Sequence, residues 1–294
     1  MLITRVITAV LLLCALLPAL FWLPPLLWRV AVCAVLIVAA WEWARMARLP
    51  GKWVWPYALA TGAAGALLLL GHTARSVETT ALNGGAQAVG AAVGAAMGAA
   101  AEAVRAVYGI AFVFWLLAVP VLFATGARPG NTWGALAGWC VLLPFAAAVA
   151  DLRDLGPLLL ISAMALVWIA DIAAYFAGRA FGRRKLAPSI SPGKTWAGAV
   201  GGVAAVALYA VANWHYGNPL LAGEPLWRVL VFAGGLLAAV SIIGDLFESA
   251  MKRAAGLKDS SHLLPGHGGV MDRIDSLTST LPVAALLLIW SGKL

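Results

Sequence analysis

The sequence predicts an all-α protein, a polytopic integral membrane bundle of about nine transmembrane helices. Hydrophobic residues make up 63% of the 294 residues, whereas charged residues make up only 11%. A soluble domain carries roughly 25% charged residues, so this chain lacks the polar side chains that a water-facing surface requires. The mean hydropathy of +0.93 agrees, and lipid must therefore solvate much of the surface.

Nine apolar stretches are each long enough for a helix to cross a bilayer, which takes about 20 residues. They cover residues 5–23, 26–42, 53–71, 107–125, 132–150, 156–178, 195–214, 228–248 and 277–292. The first stretch resembles a signal sequence, but it ends in the bulky run Phe21-Trp22-Leu23, so we expect an uncleaved span. We divide the chain into N-terminal spans, residues 1–150, and C-terminal spans, residues 151–294.

Residues 80–106 form an Ala- and Gly-rich stretch outside these nine spans. Gly90, Gly94 and Gly98 recur at four-residue spacing, which permits close helix packing in a membrane. A tenth span here would break the charge balance between the early and late basic loops. We therefore expect an interfacial or non-cytoplasmic helix.

The basic residues predict which way the chain crosses the membrane. With a cytoplasmic N-terminus, 14 of the 20 lysines and arginines fall on the cytoplasmic side and six on the other. This asymmetry follows the positive-inside rule and places the loops after spans six and eight on the cytoplasmic face. Topology and anionic lipid thus explain the net charge of +8, and we expect no nucleic-acid partner.

The three cysteines lie singly in apolar runs, as small buried hydrophobes do.

Polar residues concentrate in one segment, Asp245 to Asp275. It holds five of the 12 acidic residues and two of the four histidines, mixed with basic residues. If span eight continues as a helix, Asp245, Glu248, Ser249 and Lys252 share one face. An ionised carboxylate at the membrane boundary needs a partner, which a divalent cation or a basic residue would supply.

A glycine-rich turn, residues 265–269, follows in the same segment. It frees backbone N–H groups and lets a ligand approach closely. Asp272 and Asp275 then lie at i and i+3 on the next helical turn. Carboxylates that hold a hard cation, beside Lys and Arg that hold phosphate oxygens, are what phosphoryl or nucleotidyl transfer requires.

The polar segment resembles the signature of the phosphatidate cytidylyltransferases, also called CDP-diacylglycerol synthases. The matching positions are Ser249, Lys252, Arg253, Lys258, Asp259, Leu264, Pro265, His267, Gly268, Gly269, Asp272, Arg273, Ile274 and Asp275. A second block, from Asp171 to Gly198, resembles the upstream block of the same family. Ala197 departs from it, because an acidic or amide side chain is common at that position. The resemblance covers roughly residues 165–280.

The resemblance implies a reaction in which CTP and phosphatidate give CDP-diacylglycerol and pyrophosphate. It further implies Mg²⁺, one or two ions per site, and a homodimer in contact with membrane lipid. The chain shows no organelle-targeting segment, so we expect a bacterial inner membrane with the N-terminus and the site on the cytoplasmic side.

We assign expected roles to the matching residues in three groups. The expected metal ligands are Asp245, Asp272 and Asp171. The expected catalytic and phosphate-contacting residues are Lys252, Arg253, Lys258, Asp259, His267, Arg273 and Asp275. The expected substrate-binding residues are Ser191, Lys194, Thr195, Ser249, Gly268 and Gly269.

Other interpretations of the same residues stay open at this stage. Ser191 or Thr195 would serve equally well as a helix cap, and Asp171 as a buried ion-pair partner. Lys252 and Arg253 are also what membrane topology alone would place there. As a different class of function, a transporter would use Asp171 and Asp245 along an ion pathway.

Overall fold

A computed structural model describes residues 2–81, 87–126, 131–218, 221 and 223–294. Within these ranges, nine helices are long and apolar enough to cross a membrane, and each corresponds to one predicted span. The elements are α1 (Leu2–Trp22), α2 (Pro25–Met46), α3 (Gly51–Ala81), α4 (Gln87–Val113), π1 (Phe114–Ala118), α5 (Val119–Thr125), α6 (Asn131–Leu155), α7 (Pro157–Phe181), β1 (Lys185–Ala187), β2 (Ser191–Thr195), α8 (Trp196–His215), α9 (Leu226–Arg228), π2 (Val229–Leu237), α10 (Ala238–Ala254) and α11 (Met271–Trp290). The predicted helical bundle is confirmed.

Two of the nine spans contain π-helical segments. The fourth span runs from the end of α4 through π1 into α5, and the eighth runs from α9 through π2 into α10. The stretch 80–106 is helical in its described part, where α3 ends at Ala81 and α4 begins at Gln87. Residues 82–86 lie outside the described residues, and the predicted interfacial position of this stretch stays a prediction.

A two-stranded antiparallel hairpin connects α7 to α8. Lys185 pairs with Thr195, and Ala187 pairs with Ser191. The sequence predicts no strands here, because these segments are only three and five residues long and lack an alternating apolar pattern. The hairpin adds to the helical bundle without changing its class.

Small residues bring α7 and α8 into close contact. A Cβ atom on Gly201 would lie 2.4 Å from Ala177 Cβ, and one on Gly202 would lie 3.1 Å from the Ala170 carbonyl oxygen. Helix backbones approach this closely in membranes where glycine and alanine line the interface. The contact holds the hairpin beside the C-terminal end of α7.

The bundle has two ends because consecutive spans alternate in direction. We call the end that carries the hairpin and the loop between α10 and α11 the site end. At the opposite end, Arg29 at the start of α2 donates to Asp154 at the end of α6 at 2.6 Å. At the site end, Lys194 of β2 forms an ion pair with Asp245 of α10. The prediction that the two polar blocks lie on one side of the bundle is therefore confirmed.

Candidate active site

Asp272 organises the loop between α10 and α11 from the first turn of α11. Its Oδ1 accepts a hydrogen bond from Lys252 Nζ at 2.6 Å. Its Oδ2 accepts from the Ser260 and Gly269 backbone N–H groups and from the Ser260 hydroxyl, at 2.8–2.9 Å. The side chain is only 6% exposed, so a metal ion would reach it only by displacing one of these donors. Its role as a metal ligand stays a prediction.

Gly268 and Gly269 of this loop lie so close to neighbouring side chains that a Cβ atom would not fit. Gly268 has φ +83°, and a Cβ there would lie 2.5 Å from Asp272 Oδ2. A Cβ on Gly269 would lie 2.1 Å from Ser260 Oγ and 2.3 Å from Glu42 Oε1. The predicted close approach at these positions is therefore to the protein's own carboxylates, and substrate contact by the two glycines stays a prediction.

Lys252 links α10 to α11 through two buried ion pairs. Its ammonium lies 2.5 Å from Glu248 Oε2 and 2.6 Å from Asp272 Oδ1. Glu248 and Lys252 are one helical turn apart, as the predicted shared face requires. Both side chains are largely buried, so Lys252 fixes the geometry of this loop, and direct phosphate contact by it stays a prediction.

Asp245 joins the hairpin to α10. It pairs with Lys194, and its Oδ1 accepts a hydrogen bond from Ser249 Oγ at 3.3 Å. The side chains of Asp245 and Lys194 are each 25% exposed, so ligands from the site end can reach both of them. This is the point at which the two polar blocks of the sequence meet.

Three further carboxylates lie close enough to act on Asp245 electrostatically. They come from different turns or helices: Asp171 of α7, Glu248 of α10 and Asp275 of α11. Lys194 and Arg273 partly offset the charge at Asp171. Such a cluster of acids needs cations for compensation.

Thr195 caps α8. Its Oγ1 accepts a hydrogen bond from the Gly198 backbone N–H at 3.1 Å. The residue is only 5% exposed, because the hydroxyl packs against α7, where a Cβ at Gly178 would lie 2.9 Å from it. The capping interpretation is confirmed for Thr195, and the predicted ligand contact stays a prediction.

The other predicted site residues lie around this centre. Arg253, Lys258, Asp259 and Arg273 are exposed at the site end, and Arg253 Nη1 donates to the Leu257 carbonyl oxygen at 3.1 Å. Among the described residues, the partly buried His267 keeps its Nδ1 without a hydrogen-bond partner. Ser191 is partly buried in the hairpin. The predicted catalytic and binding roles of these residues stay predictions.

Glu42 of α2 is a component of the site that the sequence analysis missed. It is fully buried, and it accepts a hydrogen bond from the Ser261 hydroxyl at 2.6 Å. Ser260 Oγ lies 3.0 Å from Glu42 Oε2, and its one proton is shared between this oxygen and Asp272 Oδ2. Glu42 also accepts from the backbone N–H groups of Val270 and Met271 at 3.0 and 2.7 Å. One carboxylate thus ties the middle and the C-terminal end of the loop to the N-terminal half. An acid within an apolar run is the signal that was available.

The first helix also touches this loop. Thr8 Oγ1 donates a hydrogen bond to the Pro265 carbonyl oxygen at 2.8 Å. The N-terminal spans therefore contact the polar segment directly, and the division of the chain at residue 150 stays a prediction.

Comparison with known proteins gives this site a family. The model of the cytidylyltransferase family matches residues 3–290 of the chain. The chain belongs to the cytidylyltransferase family. The match includes both polar blocks and the helix that carries Glu42, so the family extends beyond the segments that carried the resemblance.

Curated relatives of this cytidylyltransferase cover nearly its whole length. The phosphatidate cytidylyltransferase of Haemophilus influenzae is 36% identical over 292 residues, which is 95% of each chain. That of Pseudomonas aeruginosa is 39% identical over 295 residues, which is 98% of this chain and 97% of the relative. That of Brucella suis is 54% identical over 128 residues, 44% of each chain.

The donor set of this cytidylyltransferase suits Mg²⁺. The described residues contain no group of three or more His, Cys, Asp or Glu side chains placed to hold a metal ion. However, Mg²⁺ is usually bound by one or two carboxylates together with substrate phosphates. The cluster around Asp245 offers such carboxylates, and the buried Glu248 Oε1 has no hydrogen-bond partner among the described residues. The chemistry therefore fits a cation that arrives with a phosphate substrate.

Proposed function

We propose that this cytidylyltransferase transfers the cytidylyl group of CTP to phosphatidate, giving CDP-diacylglycerol and pyrophosphate. The observation that carries the proposal is the pairing of Lys194 with Asp245, which joins the two polar blocks beside Asp171 and Asp275. The names of the full-length relatives support the same reaction. Family membership also favours an enzyme over a transporter that uses Asp171 and Asp245.

The reaction exchanges one phosphoanhydride bond for another. A phosphate oxygen of phosphatidate attacks the α-phosphorus of CTP, a new P–O bond forms, and the bond to the β-phosphate breaks. The phosphate nucleophile is already ionised near neutral pH, so no strong general base is needed. Because both reactants are anions, the main task of the protein is to neutralise and align them.

The protein's own cations can perform this alignment. Lys194, half-buried beside Asp245, and the exposed Arg253, Lys258 and Arg273 are the groups that we propose to hold phosphate oxygens. Lys252 contributes by holding Asp272 and the loop in position.

The proposal includes Mg²⁺ held by Asp245 and Asp171, with Asp272 as a third ligand if it releases Lys252. Bound Mg²⁺ would neutralise the triphosphate and stabilise pyrophosphate as it leaves. Removal of divalent cations with EDTA should abolish activity, and added Mg²⁺ should restore it. Full activity in EDTA would exclude this part of the proposal.

The chain is an integral membrane protein by the length and hydropathy of its described helices. We further propose that it lies in a bacterial inner membrane with the N-terminus and the site end in the cytoplasm, and that it forms a homodimer. Cysteine labelling in intact cells tests the orientation, and mass measurement of the detergent-solubilised protein tests the dimer.

The direct test supplies the purified protein in detergent with CTP, Mg²⁺ and phosphatidate. Pyrophosphate and CDP-lipid should appear in equal amounts, and a well-folded protein that releases neither would overturn the proposal. Lys194→Ala should lower kcat/KM about 10- to 100-fold, as expected for one charge-assisted phosphate contact. Lys185→Ala, at an exposed lysine in the same hairpin, is the matched control and should stay near wild type.

A further inference from the structure

A cavity at the opposite end of the bundle is separate from the site end. Its volume is about 470 Å³, within the range of small-molecule pockets. The walls come from α7, α8, π2 and α11 and are mostly apolar, with Leu166, Phe232 and Leu287 among them. Ser162 of this cavity precedes Asp171 by nine residues on α7, roughly 13 Å of helix.

The π-helical segment π2 forms one wall of this cavity. It spans nine residues, Val229–Leu237, whereas π-helices are rare and mostly single-turn features that are frequent at functional sites. Val229, Phe232, Ala233 and Leu237 of π2 all line the cavity. The unusual backbone and the cavity therefore occur at the same place.

Polar side chains line the outer part of the cavity. Ser162 Oγ lies 3.0 Å from the Tyr209 hydroxyl, and Asn218 Nδ2 donates to Asn213 Oδ1 at 2.8 Å. These neutral groups bond mainly to one another, since the Tyr209 hydroxyl also donates to the Ser162 carbonyl oxygen at 3.1 Å and Ser162 Oγ to Asn213 Oδ1 at 3.3 Å. They present an uncharged polar surface to the ester region of a lipid. The cavity is thus apolar in its depth and polar toward its mouth.

The mouth carries charged side chains. Glu224 lies between two cations, with Arg228 Nη1 and Lys293 Nζ each 3.4 Å from one of its oxygens. Tight ion pairs of this kind are about 2.7–2.9 Å long, so both pairs are loose. The Arg228 side chain is 53% exposed, so its guanidinium can turn from Glu224 to a phosphate group at the mouth.

Exposed tryptophans mark the depth of the mouth in the bilayer. Trp227 is 60% exposed and Trp290 is 62% exposed, and both line the cavity. Tryptophan is enriched at the level of the lipid headgroups. The charged mouth therefore lies at headgroup level, while the apolar depth extends toward the hydrocarbon core.

We propose that this cavity binds one phospholipid of the surrounding leaflet. Its phosphate would contact Arg228, its ester groups would lie near Ser162 and Tyr209, and one acyl chain would lie between α7, α8, π2 and α11. The order of charged, polar and apolar surfaces matches that of a phospholipid in the bilayer. The inference is independent of the reaction proposed above, since none of the described residues that line this cavity belongs to the site end.

Photo-crosslinking tests the proposal on the purified full-length protein. The probe is a phosphatidylglycerol with a diazirine on one acyl chain, and labelled peptides are identified by mass spectrometry. Label should concentrate in residues 226–237 and 284–291. Arg228→Gln should lower this labelling about tenfold, the effect of losing one phosphate contact.

Arg105→Gln is the matched control for the loss of Arg228. Arg105 is 54% exposed and Arg228 is 53% exposed, and each pairs with a glutamate three or four residues earlier in the chain. Arg105→Gln should leave labelling unchanged. Ala233→Leu, which narrows the cavity, should lower labelling without lowering the thermal stability of the protein.

Three outcomes would overturn the proposal. Label spread evenly over the exposed faces of all spans would show only general lipid contact. Equal labelling of Arg228→Gln and Arg105→Gln would remove the phosphate contact. Labelled peptides that all lie outside residues 226–237 and 284–291 would show that no lipid occupies the cavity.

Discussion

Replacing Glu42 by glutamine tests whether α2 holds the site loop in place. Each oxygen of Glu42 accepts one hydroxyl and one backbone N–H. Glutamine keeps one acceptor oxygen, and its NH₂ group only donates. Whichever way the amide turns, the N–H of Val270 or Met271 faces another donor, whereas the serine hydroxyls can rotate.

The structure sets the size of this effect. A buried N–H without an acceptor costs about 1–3 kcal/mol. The remaining hydrogen bonds also lose the strengthening that a charged acceptor provides, which adds about 1 kcal/mol. We therefore expect Glu42→Gln to destabilise the loop by about 2–4 kcal/mol.

Two assays measure this loss in the purified protein. Trypsin should cleave faster at the exposed Lys258 in the loop, and pyrophosphate release from CTP and phosphatidate should fall by about tenfold or more. Glu102→Gln makes the same chemical change at a side chain that is 72% exposed and should alter neither readout. If Glu42→Gln matches Glu102→Gln in both assays, Glu42 does not position the loop.

Three further substitutions test other parts of the structure. Gly268→Ala should destabilise the protein by about 2–4 kcal/mol in thermal unfolding, since it adds a clash with Asp272 to the cost of a positive φ. Gly256→Ala, with φ +74° and open space around it, should cost only about 1 kcal/mol, and equal effects would refute the clash. Thr195→Val should lose about 1 kcal/mol by removing the cap of α8, whereas Thr195→Ser should retain it; equal melting of the two would contradict the cap. Arg29→Met should cost about 1–3 kcal/mol by leaving Asp154 unpaired, and adding Asp154→Asn should recover part of this; strictly additive losses would show that the pair is not coupled.

The helical spans could be predicted because lipid imposes simple rules on sequence. A segment that crosses the bilayer must be apolar and about 20 residues long, and all nine predicted spans have a matching helix in the described chain. The residues at which the helices begin and end were less predictable. The last helix begins at Met271, where the prediction began at residue 277, because Asp272 and Ser276 are buried against protein.

The candidate site could be predicted as a region but not in its detail. Sequence placed Lys194 and Asp245 on one side of the bundle, because topology alone determines this. It did not reveal that Asp272 is held by four donors, since those contacts depend on how the loop folds. The acid at Glu42 was visible, but its partners lie 218 to 229 residues away in the chain. The π2 segment depends on packing and has no simple sequence signal.

The long separation along the chain between Glu42 and its hydrogen-bond partners also affects how the protein is synthesised. At about 5–20 residues per second, the ribosome finishes the last helix roughly 10 to 50 s after it has added Glu42. During this interval the acid of α2 has none of its four donors, although an unpaired acid inside a membrane is costly. Arrival of α11 completes the loop and supplies these donors in one step. A chain that stops before residue 260 would therefore leave the acid of its second helix without any of these partners.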